Sequence, residues 1–498
     1  MRRSGILMHL SSIPSPHGIG SMGQAARDFV DFLQESGQSV WQLLPICPTS
    51  YGDSPYQSYS TFAGNPYFID LDELKEMGVL EAEDYENVDW ESTPDKVNYG
   101  TLYNKRYPIL QKAAHNFLKA PTEEFWTFCR ENEYWLSDFA LFMALKDAHD
   151  GKSWSEWEPG YRNREWDAMA RAMEEFEDKI QTWKVYQFFF YKQWNALKKY
   201  ANAKEIEIFG DLPIYVSLDS VDVWAHPELF QLDDDKRPVD VAGCPPDAFS
   251  DDGQLWGNPL YNWDYMEQDH YAWWINRIDY LCKVYDILRI DHFRAFEAYY
   301  AIPAKDKTAK NGKWRKGPGM KLFHAIEDTI GKKNIVAEDL GYLTKEVRDL
   351  LKESGFPGMK VLEFAFDADD PGKNEYLPHN HIPNCVAYLG THDNNTLVGW
   401  YEELTDTQKK YVKEYLRIGS GELHWEFVNV LWESVADLVI IQMQDILGLD
   451  SSARMNEPST IGSNWCWRVD PSVFTHKLAY QLRRKNLIFG RLKKCWRI

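Results

Sequence analysis

The sequence of 498 residues predicts an α/β protein built on a (β/α)8 TIM barrel, with inserted subdomains that are mostly helix and loop. Three observations predict this fold: the chain opens β-α-β, short apolar runs recur between helical patterns, and several runs end in a carboxylate. In a TIM barrel the catalytic groups come from the C-terminal ends of several strands and meet on one face. An open doubly wound sheet is the alternative, but it usually carries a Gly-rich phosphate turn. Neither G-x-G-x-x-G nor a Walker A sequence follows any of the runs.

Eight apolar runs are predicted strands, at residues 5–10, 40–44, 206–210, 287–290, 334–337, 359–364, 385–389 and 438–443. A helix is predicted between the first two, because Ala26, Phe29, Val30 and Leu33 recur at i, i+3, i+4 and i+7. Such short connections indicate parallel strands joined by a right-handed crossover. Four of the strands lead to an acidic residue: Asp211, Asp291, Glu338 and Asp393.

The whole chain, 1–498, is predicted to be one catalytic barrel domain that carries three insertions. The first, 52–180, combines a loop rich in Gly, Ser and Pro with an acidic, Trp-rich and helical stretch. The second, 212–274, is predicted to be another long loop, and the third, 394–435, is smaller.

Aromatic residues make up 15% of the chain, and some stand in loops among polar neighbours. We expect Tyr56, Tyr59 and Phe62 in the first insertion to be exposed and available to a ligand, since binding groups concentrate on loops held by a rigid scaffold. Flat aromatic faces stack well on sugar rings. A loop packed on itself is the alternative.

The net charge of −21 argues against nucleic acid or an anionic membrane surface as a partner. The seven cysteines are scattered and form no C-x-x-C pair, which is typical of reduced thiols in a cytosolic protein. The start of the chain has too few apolar residues for a signal-peptide core, and no run approaches the length of a membrane span. We therefore expect a soluble, cytoplasmic protein with a neutral substrate.

The stretch DILRIDHFRAF, residues 286–296, places several polar side chains directly after an apolar run. Because a strand alternates its faces, Arg289 and Asp291 point to the same side. A neighbouring arginine favours the ionised carboxylate, which is the state that a nucleophile needs. A structural ion pair at a strand end is the alternative.

The chain resembles the 4-α-glucanotransferases, also called amylomaltases or disproportionating enzymes, which belong to the α-amylase-like barrel group. The resemblance extends from end to end and rests on seven motifs: GDSPYQSYSTFAGNPY (52–67), GDLPIYV (210–216), PPDAFSDDGQLWGNPLY (245–261), RIDHFRAF (289–296), AEDLG (337–341), GTHDNNT (390–396) and GSNWCWR (462–468). The first and third are more specific to this family than to amylases in general.

The resemblance implies that Asp291 is the nucleophile, Glu338 the general acid/base, and Asp393 a third carboxylate that stabilises the transition state. A retaining enzyme of this kind needs one ionised and one protonated carboxyl group. We expect burial and nearby carboxylates to raise the pKa of Glu338, while Asp339 faces away and has a structural role.

The resemblance also implies a set of substrate-binding residues: Arg289, His292, His392, Asp211, Tyr56, Ser54, Trp256 and Asn464. A zinc site is the competing reading of the histidines, but they show no H-x-x-x-H spacing. We expect no metal and no cofactor. One departure concerns a loop that, by the resemblance, closes over the substrate: Ala248 stands in place of the tyrosine that relatives often carry, so the resemblance implies no particular acceptor preference.

The expected function is transfer of α-1,4-glucan segments from a maltooligosaccharide donor to the 4-OH of glucose or of another maltooligosaccharide. A hydrolytic amylase would use the same carboxylates and would differ in whether water or a sugar hydroxyl attacks the glycosyl-enzyme. A non-catalytic glucan-binding protein would keep the aromatic residues and lose an acid, whereas this chain keeps all three.

Overall fold

The computed structural model describes residues 2–50, 52–246, 251–341, 343–367, 372–416 and 422–496. Its strands in chain order are β1 Arg3–Leu7, β2 Val40–Gln42, β3 Glu207–Leu212, β4 Asp240–Cys244, β5 Gln254–Pro259, β6 Ile287–Ile290, β7 Ala298–Pro303, β8 Lys313–Lys316, β9 Ile335–Ala337, β10 Gly358–Val361, β11 Cys385–Tyr388 and β12 Leu438–Gln442.

Its helices in chain order are α1 Gln24–Glu35, α2 Leu71–Glu76, α3 Tyr99–Leu118, α4 Glu123–Glu131, α5 Glu133–Ala148, α6 Pro159–Arg162, α7 Trp166–Glu175, α8 Glu177–Ala203, α9 Val221–Ala225, α10 Trp263–Gln268, α11 Ala272–Val284, α12 Met320–Ile330, α13 Lys345–Ser354, α14 Leu397–Glu403, α15 Asp406–Leu416, α16 Leu423–Glu433, α17 Met443–Ile446 and α18 His476–Ile488. Across the described ranges, every helix is too short or too polar to cross a lipid bilayer.

Eight parallel strands form a sheet that is nearly closed into a barrel. Their order is β10-β11-β12-β1-β2-β3-β6-β9, so each strand lies beside the next barrel strand of the chain and β12 returns to β1. Between the edge strands β9 and β10, Ala337 N donates to Pro357 O at 2.9 Å. The predicted TIM-barrel class is confirmed.

All eight predicted barrel strands are present; β6 has the predicted bounds, and the ends of the other seven differ from the predicted ones by a few residues. The first strand begins and ends earlier than predicted, because residues 10–12 turn into a 3-10 helix. Asp211 lies inside β3, one residue before its end, and does not follow it. Asp291 and Glu338 directly follow β6 and β9, as predicted.

A second, antiparallel sheet has the order β5-β4-β7-β8. Two of its strands lie in the segment 212–274, for which a long loop was predicted, so that prediction was wrong there. The strand β4 pairs on one side with β5 and on the other with β7, which comes after β6 in the chain. A sheet assembled from two distant segments leaves little local signal, since its strands are stabilised by each other and not by their own periodicity.

Helices α2 to α7 lie between β2 and β3, within the segment 52–180. Helix α8 contacts α1, α3, α4, α5 and α7, and so joins these helices to the barrel. Ala26, Phe29, Val30 and Leu33 are fully buried on α1, as their spacing predicted.

Candidate active site

Arg289 on β6 holds two carboxylates at the C-terminal end of the barrel. Its Nη1 donates to Oδ1 and Oδ2 of Asp211 on the neighbouring β3, at 2.8 and 2.7 Å, and its Nη2 lies 2.7 Å from Oδ1 of Asp291. The register of the two strands places Asp211 opposite Arg289. Burial alone would lower the pKa of Arg289, but the charges of Asp211 and Asp291 raise it well above its usual value. Asp291 therefore has a permanently charged partner.

Glu338 lies beside Asp291 because their strands are paired. Ile290 and Ala337, the last residues of β6 and β9, are register partners, and neighbouring strands lie about 4.7–4.9 Å apart. Burial and the charge of Asp291 raise the pKa of Glu338 to about 7, although Arg289 opposes the shift. A carboxyl group of this kind holds a proton near neutral pH, which is the state that a general acid needs.

Backbone N–H groups fix the Glu338 side chain. Its Oε2 accepts from His292 N and its Oε1 accepts from Leu340 N, both at 2.7 Å. His292 can donate in this direction because it adopts the left-handed conformation, with φ 49°. That conformation costs a non-glycine residue on the order of 1 kcal/mol, and a position that accepts such strain is often functional.

The His292 side chain is half-buried, and its ring is neutral near pH 7. Burial lowers its pKa to about 4. Its Nε2 has no hydrogen-bond partner among the described residues, and its ring lies 4.9 Å from that of Trp256 in an edge-to-face arrangement. A neutral nitrogen of this kind suits a hydrogen bond to a sugar hydroxyl.

Asp393 is placed by the loop that follows β11. Its Oδ2 lies 3.3 Å from Nε2 of His392, and its Oδ1 accepts from Nδ2 of Asn456 at 2.6 Å. Although the side chain is 47% exposed, its carboxylate is partly desolvated, which opposes the ionised form; His392 and Asn456 nevertheless hold the pKa of Asp393 well below its usual range. Arg454 also donates to the backbone oxygen of Asp393, at 2.9 Å. Asp393 is therefore an ionised carboxylate with a fixed orientation.

Tyr56 connects the first insertion to the barrel. Its hydroxyl donates to Oδ2 of Asp211 at 2.7 Å, and its ring stacks on His392 with a centroid distance of 5.1 Å. The ring of Trp465 lies 5.9 Å from Tyr56 and 6.0 Å from His392. These three rings and the Asp211–Arg289 pair form one wall of the site.

Three other predicted binding residues have different surroundings. Trp256, on β5, is partly buried and contacts both His292 and Tyr215. The hydroxyl of Ser54 accepts from Tyr56 N at 3.3 Å and so helps to set the loop that carries Tyr56. The side-chain amide of Asn464 instead forms hydrogen bonds within its own loop, to Glu457 and Thr460. These contacts stabilise the conformation of that loop.

Two further expectations concern residues near the site. Asp339 is buried, and its Oδ1 accepts from Met359 N at 2.6 Å, which fits the expected structural role. Ala248 lies outside the described residues. Within the described ranges, no group of three or more His, Cys, Asp or Glu side chains is arranged to hold a metal ion.

The sequence reasoning missed Arg454, Asn456 and Trp465. All three follow the last barrel strand and reach the site through the tertiary fold. A signal was available for Trp465, which adjoins Asn464 in the motif at 462–468. For Asn456 no local pattern indicated a contact with a residue 63 positions earlier.

A parallel barrel with an arginine-paired aspartate and a neighbouring glutamate of raised pKa is typical of enzymes that cleave glycosidic bonds by a retaining mechanism. The family model described as 4-alpha-glucanotransferase matches residues 8–474. The chain therefore belongs to the 4-alpha-glucanotransferase family, as the sequence motifs predicted.

Individual relatives agree with this assignment over nearly the full length. The chain is 48% identical over 487 residues to a 4-alpha-glucanotransferase of Clostridium butyricum, which covers 97% of this chain and 100% of that one. It is 45% identical over 495 residues to a 4-alpha-glucanotransferase of Thermus thermophilus, with 97% of each chain covered. It is also similar to an amylomaltase from Streptococcus agalactiae solved in complex with acarbose, with TM-score 0.97, 45% identity, and 99% of this chain and 100% of that chain covered.

Replacing Asn456 with alanine is expected to lower kcat/KM for maltotriose about ten-fold. A hydrogen bond to a charged group contributes roughly 1.5–3 kcal/mol, and we expect the lower end because the Asp393 side chain is 47% exposed. Asn104→Ala, at an exposed position on α3, is the matched control. An unchanged kcat/KM in Asn456→Ala would show that Asp393 does not depend on this contact.

Proposed function

We propose that this protein transfers α-1,4-glucan segments from one maltooligosaccharide to the 4-OH of another, or of glucose, through a covalent glycosyl-aspartate. The observation that carries the proposal is the pairing of Asp291 with Arg289 next to a Glu338 whose pKa is raised to about 7. These two environments separate a nucleophile from an acid within one site.

The proposed reaction has two displacements. In the first, a carboxylate oxygen of Asp291 attacks the anomeric carbon, the bond from that carbon to the leaving glycosidic oxygen breaks, and Glu338 gives its proton to that oxygen. In the second, the 4-OH of an acceptor attacks the same carbon, Glu338 takes the hydroxyl proton, and the bond to Asp291 breaks. Asp393 and the neutral His292 are proposed to bind sugar hydroxyls, because both carry polar atoms near the two carboxyl groups.

Incubation with maltotriose tests the proposal against its alternatives. Transfer gives glucose together with a ladder of longer maltooligosaccharides, whereas a hydrolase of the amylase type gives short products alone. A glucan-binding protein without activity leaves the trisaccharide unchanged. We also propose a cytoplasmic location, supported by seven scattered cysteines without a C-x-x-C pair.

Replacing Trp256 with alanine is expected to lower transfer more than hydrolysis. Its ring lies against His292, where it can hold an incoming sugar in place of water. An aromatic contact contributes on the order of 1 kcal/mol, so we expect acceptor capture to weaken several-fold. The measurement is the yield of longer oligosaccharides relative to new reducing ends formed from maltotriose.

The control for Trp256 is Trp166→Ala, which removes an indole that is 81% exposed on α7. It should leave both activities unchanged. If Trp256→Ala lowers transfer and hydrolysis in equal proportion, then Trp256 packs the β5 segment and does not exclude water from the glycosyl-enzyme.

A further inference from the structure

A cavity of about 270 Å³ lies between α5, α9, α10 and α11. None of the proposed catalytic or substrate-binding residues lines it. Its described lining includes Ser60, Phe62, Tyr134, Asp222 and Trp273. It is therefore a separate opening from the site at the strand ends.

The walls of this cavity are aromatic and held in place by their neighbours. The ring of Phe62 lies 5.9 Å from that of Tyr134 and 6.4 Å from that of Trp135. On α11, the guanidinium of Arg277 lies 5.2 Å from the ring of Trp273. Tyr134 is itself 55% exposed, so its ring is open to a ligand. Rigid rings of this kind bind a flat apolar face with little loss of side-chain entropy.

The polar groups of the cavity favour a neutral ligand that carries many hydroxyl groups. Among the described lining residues, four are acidic (Asp138, Asp222, Glu228 and Asp269), and the single basic candidate is His226, whose Nδ1 lies 3.5 Å from Glu228. Asp138 is paired with Arg164 at 2.6 Å, but the lining as a whole carries more acidic than basic groups and so favours a neutral ligand over an anionic one. None of these carboxylates belongs to a group of three or more metal-binding side chains within the described ranges, which argues against a bound cation.

The cavity shares a loop with the active site. Residues 52–67 carry Tyr56 at the active site, and the same loop brings Ser60 and Phe62 to the cavity. The loop is attached to α9 at two points: Val221 N donates to Tyr59 O, and Thr61 N donates to Oδ2 of Asp222, both at 2.9 Å. The cavity wall is therefore fixed to the segment that forms one side of the active site.

We propose that this cavity is a non-catalytic site for a short segment of α-glucan, which retains a long substrate chain while another part of it reacts. This inference rests on the proposed function. The volume of about 270 Å³ lies just below the usual range for small-molecule pockets, roughly 300–1,000 Å³, so the cavity admits only a short segment of a sugar chain. Aromatic walls with carboxylate and amide acceptors suit the apolar faces and hydroxyl groups of glucose units.

Tyr134→Ala tests the site with amylose and maltotriose as probes. We expect KM for amylose to rise about five-fold, because one stacking contact is lost, while kcat and the KM for maltotriose remain unchanged. Tyr134→Phe keeps the ring and should behave as the unaltered enzyme. Calorimetry with maltoheptaose is carried out in proteins that also carry Asp291→Asn, so that the sugar is bound and not converted. The titration should show a weaker class of sites when Tyr134 is present, and Tyr134→Ala should remove it.

The matched control is Tyr480→Ala, which removes a tyrosine that is 70% exposed on α18. It should leave both KM values and the calorimetric titration unchanged. The inference is overturned if Tyr134→Ala binds and converts amylose as the unaltered enzyme does, or if its KM rises equally for maltotriose. Failure of the proposed function is a different result, since the unaltered enzyme would then produce no ladder from maltotriose.

Discussion

Asp291→Asn is expected to reduce turnover of maltotriose by a factor on the order of 1,000 or more while the protein stays folded. The substitution is nearly isosteric and removes the charge that attacks the anomeric carbon, and loss of a covalent nucleophile costs several orders of magnitude. The amide can still accept a hydrogen bond from Arg289, whose guanidinium is also held by Asp211. Product analysis under steady-state conditions, with thermal unfolding measured in parallel, checks both parts of the prediction.

A matched control is Asp240→Asn, which alters another aspartate paired with an arginine. Asp240 lies on β4 and pairs with Arg315 in the antiparallel sheet, away from the barrel carboxylates. It should retain most of the activity. A variant Asp291→Asn that kept a tenth of the normal turnover would exclude Asp291 as the nucleophile, and the ion pair with Arg289 would then be structural.

The barrel was predictable because its signals are local. Each strand is a short buried run, and a carboxylate directly after such a run can be recognised in the sequence. Asp291 and Glu338 could be found in this way because they directly follow the last residues of β6 and β9. Parallel register then places them side by side without any further information.

The surroundings of the site were less predictable, because they depend on contacts between distant segments. Phe62 was expected to be exposed, since its neighbours in sequence are polar, and that expectation was wrong. It is 7% exposed because Trp135 of α5 and Tyr280 of α11 pack against it. Likewise, Asn456 reaches Asp393 through the tertiary fold alone. Polar neighbours in sequence therefore do not establish that a ring is exposed.

Glu338→Gln is expected to lose activity on maltotriose far more than on a glucosyl fluoride, whose leaving group needs no proton. General acid catalysis contributes about 100- to 10,000-fold, so the loss on maltotriose should fall in that range. The pH profile gives a second readout. Because the pKa of Glu338 is raised to about 7, kcat/KM of the unaltered enzyme should fall as the pH rises through that value and the proton is lost. The Gln variant should lack this decrease.

The Glu338→Gln variant also allows the nucleophile to be identified directly. With a glucosyl fluoride, the first displacement proceeds without an acid, as the carbon–fluorine bond breaks and the bond to Asp291 forms. The second displacement is slowed because Glu338 no longer removes the acceptor proton. The glycosyl-enzyme should therefore accumulate, and peptide mapping by mass spectrometry should find the sugar on Asp291. Asp339→Asn is the control, since Asp339 accepts from Met359 N and its substitution should affect both leaving groups alike. Equal losses on both substrates in Glu338→Gln would show that Glu338 is not the proton donor, because a residue that only shapes the site affects both leaving groups alike.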